Sequence, residues 1–223
     1  MQNCSQLKTT LKGVPILGAL SVKALLHLRA ILASVKLRAA VTNASEIKLV
    51  VGASNHTPPG WLYSDIDILD IRNEQDWRRF FIPASVDAVL AEHVIEHLEA
   101  FEGNEALKNC SLFLKPGGYM RIAVPDGYHP DPVYLDHADP QGSDSAVHGH
   151  KVFYNVDSLS QMVRKTGLIP EPLEWFDANH HFHFRDWSPE HGMVRRSSRF
   201  DTRNENAPLS YTSLIIDARK PDQ

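Results

Sequence analysis

The chain reads as an α/β fold with a mostly parallel sheet and flanking helices, and three observations predict it. Short runs rich in Val, Ile and Leu recur at residues 46–52, 86–91 and 119–125, as strands buried on both faces do. Segments of helical character separate the later strands, which is the alternation of a parallel sheet. Finally, Glu92, His93, Glu96 and His97 crowd directly behind the run at 86–91. In open α/β sheets the ligand crevice lies beyond the carboxyl ends of the strands, so chemistry is expected there.

Residues 21–40 predict a helix with Leu25, Leu28, Ile31, Leu32 and Val35 on one face and Leu26 and Leu37 opposite. It is expected to pack across the sheet, and its all-basic charge leaves a partner or membrane surface as the alternative. Gly13, Pro15 and Gly18 are expected to break any earlier helix. The first strand ends at Gly52, and eight residues, 53–60, separate it from a second at 61–66. A parallel crossover with a full helix takes about a dozen residues or more, so the first helix is reduced or absent.

Asn73 caps a short helix with acids early and Arg late. After the strand at 86–91, residues 99–114 are helical despite Gly103, and Lys115-Pro116-Gly117-Gly118 ends them ahead of a strand at 119–125. Residues 126–151 read as a long loop carrying His129, His137, His148 and His150, of the kind that forms lids or binding loops. Asn155 or Asp157 starts a helix running to Thr166. Residues 169–176, with two prolines, suit an edge strand, and 211–219 form a last strand.

The chain has 223 residues and a net charge of −4, unevenly spread. Residues 1–45 hold Lys8, Lys12, Lys23, Arg29, Lys36 and Arg38 with no acid, a charge of +6 that leaves −10 for the remainder. The division expected is a basic N-terminal helical extension, 1–45, and a domain at 46–223. An acidic body argues against nucleic acid as partner; only the N-terminal arm would meet an anionic surface, a membrane included. Cys4 and Cys110 form no disulfide framework, and charges interrupt the apolar run at 13–41, so cytoplasmic residence with peripheral membrane contact is expected.

Strand-Gly52, strand-Asp65, SVDAVLAEHVIEHL, LKPGGYMRIAVPD and the following His150-Lys151 with Tyr154-Asn155 resemble class I S-adenosylmethionine-dependent methyltransferases, over roughly residues 46–219. They are most similar to bacterial methyltransferases of unassigned substrate. The resemblance implies a Rossmann-like sheet and S-adenosylmethionine as cofactor. It implies that Gly52, Ala53 and Ser54 lie against the amino-acid part of the cofactor, with Asp65 on the ribose hydroxyls. Asp70 and Ile71 would lie near the adenine, and Ala91, Glu92 and His93 beside the sulfur. Only Gly52 remains of the usual glycine-rich loop.

His93 and His150 are the candidate bases, since an imidazole can take an acceptor's proton near neutral pH. The expected acceptor is a hydroxyl or amine of a polar small molecule or sugar, on which the aromatic segment 175–187 could stack. Two other readings fit the residues. One is a methyltransferase fold that has lost its cofactor and serves as an interaction module. The other takes His93-x-x-Glu96-His97 as a zinc hydrolase motif, which needs a third ligand that no local spacing supplies, so no metal ligand is expected.

Overall fold

The computed structural model describes residues 16–53, 56–143, 149–207 and 209–222. One seven-stranded sheet organises them. In chain order the strands are β1 (Lys48–Val51), β2 (Leu62–Tyr63), β3 (Val86–Glu92), β4 (Leu114–Pro125), β5 (Ile169–Phe176), β6 (Phe182–Phe184) and β7 (Ser213–Arg219). The spatial order is β2-β1-β3-β4-β7-β5-β6. The first four strands in that order pair in parallel, and β7 runs antiparallel between β4 and β5. The Rossmann-like, mostly parallel sheet expected from the sequence is therefore present. Between β1 and β2 the described residues form no helix, in keeping with a reduced first crossover.

The helices are α1 (Ile16–Asn43), α2 (Glu74–Arg78), α3 (Ala100–Phe113), α4 (Pro132–Ala138) and α5 (Val156–Lys165). Local chemistry sets their starts. Asn73 accepts from Gln75 N–H, Glu99 and Glu102 form a reciprocal capping box, and Asn155 accepts from Ser158 N–H. Gly103 is tolerated in α3 because a Cβ there would meet Tyr154 Oη at 3.3 Å, so the glycine admits a close neighbour.

The two faces of the sheet are covered differently. Leu49, Val51, Val89, Ile122, Val124 and Ile216 face a core built with Trp77 of α2, Leu107 and Phe113 of α3, and Leu159 and Val163 of α5. The alternate residues Val50, Leu90, Ala123 and Ile215 face Trp61, Trp187 and Val194, which lie outside the helices. The irregular segment between β6 and β7 thus shields the face opposite the helices. Arg121 anchors it: buried in β4, it donates two 2.8 Å bonds to Asp217 of β7 and one to Gly192 O. Glu174 of β5, also buried, accepts from Trp187 Nε1, Ser198 N–H and Thr212 Oγ1.

Several expectations change. The N-terminal helix is longer than residues 21–40 and passes through Gly18; Gly13 and Pro15 lie outside the described residues. It does not lie across the sheet. Leu37 is buried and Ala33 and Val41 touch the core, while Leu25, Leu28, Ile31, Leu32 and Val35 are exposed. The loop at 126–151 contains α4, with Asp131 as its cap and Pro132 at its first turn. β5 is an edge only in part. Pro170 and Pro172 pair with β7 on one side, while the added strand β6 covers only Glu174 to Phe176 on the other.

Candidate functional site

The site is built at the end of β3, where the chain makes an unusual turn. His93 follows the strand with φ +55°, a left-handed conformation that non-glycine residues seldom adopt. Three contacts hold it there. Its N–H donates to Ala123 O at 2.8 Å, its Nδ1 lies 2.9 Å from Glu96 Oε1, and its Nε2 lies 2.9 Å from Ser213 Oγ. The pair with Glu96 is almost wholly buried. Burial pushes the Glu96 carboxyl up, but His93 and His97 beside it outweigh that and hold it below its ordinary value. A carboxylate facing Nδ1 keeps the proton on that nitrogen and leaves the Nε2 lone pair toward the Ser213 hydroxyl.

The turn separates two clefts, and His93 lines both. The first, about 350 Å³, lies beyond the ends of β1 and β2 and is walled by Gly52, Asp65, Leu69, Ile71, Val94 and Leu98. Gly52 is required at its floor. Its φ is +60°, and a Cβ there would sit 2.6 Å from Val94 Cγ2. Asp65 stands at the rim, its Oδ1 accepting from Ile66 N–H at 2.8 Å. Asp70 also lines this cleft, with its carboxylate engaged: Arg72 donates to both oxygens and keeps it below the usual carboxylate range, and Arg72 bridges on to Glu102.

The second cleft, about 340 Å³, is polar and lies toward α4 and the segment before β7; Tyr134, His137, His150, Arg203 and Tyr211 are among its walls. Tyr134 is held by its hydroxyl, which donates to Thr212 O and accepts from Asp126 N–H. Burial pushes the neighbouring Asp126 carboxyl up to about 6 against two backbone N–H bonds that favour its charge. His150 Nδ1 lies 2.8 Å from Ala138 O, and its ring meets that of His97 at 5.0 Å between centroids.

Of the residues singled out in the sequence, Gly52, Asp65, Asp70, Ile71 and His93 meet at the first cleft, and His150 joins His93 at the second. Ala53 and Glu92 face a neighbouring gap beside Leu90, where Glu92 accepts from Arg196 N–H. Ala91 is sealed in the core, and Ser54 lies outside the described residues. The aromatic segment 175–187 lines neither cleft: Trp187 is buried and Trp175 stacks on His183. Tyr134 and Tyr211, whose spacing carries no signal in the sequence, provide the aromatic walls instead.

In open, mostly parallel sheets of this Rossmann-like kind, ligands bind in crevices beyond the carboxyl ends of the strands, which is where both clefts lie. Residues 66–122 match the family described as a methyltransferase domain. The chain matches that family from the loop after β2 to Ile122 in β4. Among solved structures it is similar to an S-adenosylmethionine-dependent methyltransferase from Archaeoglobus fulgidus, at 16% identity over 86% of this chain and 94% of that one, TM-score 0.45. It is also similar to the 1,6-didemethyltoxoflavin-N1-methyltransferase of Burkholderia thailandensis, solved with S-adenosylhomocysteine, at 14% identity over 85% and 77% of the two chains, TM-score 0.41. No curated protein matches it.

The geometry at Gly52 generates a direct expectation. Gly52→Ala forces a side chain into both the left-handed conformation and Val94, which should destabilise the fold by about 1–3 kcal/mol. Urea unfolding of the two proteins measures it, and equal midpoints would show that the contact is not as tight as described.

Proposed function

We propose that the chain moves the cofactor's methyl group to a hydroxyl or amine of a polar small molecule or sugar held in the second cleft. The observation that carries this reading is that His93 is shared by the two clefts, so a donor in one and an acceptor in the other would meet at that residue. Gly52 supports close approach of the cofactor's amino-acid part, Asp65 its ribose hydroxyls, and Ile71 with the Asp70 backbone its adenine. When bound, S-adenosylmethionine supplies a methyl group already activated on a sulfonium. What remains for the protein is alignment of the acceptor and removal of its proton.

We assign the proton to His93 and the holding of the acceptor to His150 across the cleft. Ser213 makes the first role chemically consistent: a hydroxyl rotates, so it can donate to the bare Nε2 and accept from Nε2–H once the proton has arrived. Ser213, His93 and Glu96 also have the connectivity of a hydrolytic triad. Ser213 is fully buried, however, and no substrate carbon can reach its oxygen, so nucleophilic catalysis is not part of the reading.

The N-terminal helix supports one further partner. Among the described residues no helix is long and apolar enough to cross a membrane. The exposed Leu25, Leu28, Ile31, Leu32 and Val35 lie beside Arg29 and Lys36, a combination suited to the surface of an anionic bilayer.

Three measurements follow. Asp65→Ala should weaken S-adenosylhomocysteine by about tenfold to a hundredfold, the worth of hydrogen bonds to a charged group; unchanged calorimetric affinity would remove Asp65 from the cofactor site. Once an acceptor is found by a labelled-methyl screen, His93→Ala should lower kcat by about 10²–10⁴, the usual range for a positioned base. His150→Ala should act mainly on KM, and full turnover in both variants would end the assignment. Vesicles containing anionic lipid should cosediment the full chain, and the Leu28→Gln, Ile31→Gln, Leu32→Gln variant should stay in solution; equal partitioning of the two would exclude the helix as the contact.

A further inference from the structure

Next to His93 lies a cluster of side chains that methyl transfer as described uses one by one but not together. One donor atom each from Glu96, His97 and His150 lies within 4.8 Å of the others. Glu96 and His97 come from the turn after β3 and His150 from the segment ahead of α5, so the group is assembled by the fold. The two segments are tied together: Lys151 N–H and Val152 N–H both donate to Glu96 O, at 2.7 and 3.2 Å.

The arrangement of protons around these side chains matters more than their proximity. His150 Nδ1 faces Ala138 O at 2.8 Å and His97 Nδ1 faces Gly149 O at 3.3 Å. A carbonyl oxygen only accepts, so each Nδ1 carries the proton and each Nε2 carries the lone pair. Backbone carbonyls commonly fix a metal-binding imidazole in this way. Glu96 is fully buried; its Oε1 lies 2.9 Å from His93 Nδ1, yet neither carboxylate oxygen receives a well-formed hydrogen bond from the described residues. A buried carboxylate oxygen left in that state is costly unless something cationic meets it.

The geometry points to a divalent-metal site formed by Glu96, His97 and His150, of the zinc class by its nitrogen and oxygen donors. Two imidazoles and one carboxylate make a three-ligand set that leaves coordination positions open, as catalytic zinc sites do. His93 would support it from behind by holding Glu96 Oε1. Because His150 also lines the acceptor cleft, the open positions adjoin the acceptor. A hydroxyl oxygen bound there would lose its proton more readily, which would explain how His150 holds the acceptor. That consequence rests on the methyl-transfer reading; binding of the metal does not.

The test uses the full chain, stripped with chelator and titrated with Zn²⁺ and with Co²⁺, whose visible absorption reports its ligands. One equivalent should bind. Glu96→Gln and His150→Gln should each weaken binding by tenfold or more, while the surface pair His181→Ala, His183→Ala should leave it unchanged. Absence of a stoichiometric event, or an event lost only with His181 and His183, overturns the site. Circular dichroism of each variant establishes that it is folded. S-adenosylhomocysteine calorimetry on the same samples separates a failed metal site from a failed methyltransferase reading, since the cofactor should bind with or without metal.

Discussion

Everything distinctive about this molecule depends on the left-handed turn at His93. A strand such as β3, paired on both sides, would ordinarily run straight out of the sheet. Here the backbone reverses its hand at once, with φ +55° secured by Ala123 O and by ring contacts to Glu96 and Ser213. Strain of this kind amounts to about 1–3 kcal/mol and survives only where surroundings over-determine it. The result is a ridge with one cleft on either side, and the same side chain serves as wall to both.

The turn can be held because its partners sit on rigid elements. Ser213 opens β7, the reversed strand between β4 and β5, and β7 is fixed to β4 by the buried Arg121–Asp217 pair. Removing one member of a buried pair commonly forfeits about 3–5 kcal/mol because the other is stranded. Arg121 also fastens the irregular segment that covers the sheet's second face through Gly192 O. The reduced first crossover leaves no helix there among the described residues, and the aromatic and aliphatic side chains of Trp61, Trp187 and Val194 take over the burial.

The sheet was largely legible in the sequence, because buried parallel strands announce themselves as apolar runs and their loops as Gly, Pro and capping residues. Strands and helices with local signals, such as Asn73 before α2 and Asn155 before α5, fall where expected. β6 and the covering role of Trp187 were not legible, since a three-residue strand and a coil packed on a sheet have no periodicity to read. The first cleft was readable through Gly52 and Asp65, which follow strand ends. The second was not: His150, Tyr134 and Tyr211 converge from three separate segments. The N-terminal helix shows the limit of pattern. Apolar spacing says that a face exists and says nothing about what, if anything, covers it.

In the proposed reaction, donor and acceptor occupy separate clefts divided by His93. A crystal structure of the protein with S-adenosylhomocysteine tests it most directly. The adenosyl group should then lie between Asp65 and Ile71, the amino-acid end over Gly52, and the sulfur beside His93 with the cleft at Tyr134 and His150 left open. S-adenosylhomocysteine lying in that second cleft, or no density in either at millimolar ligand, would contradict it.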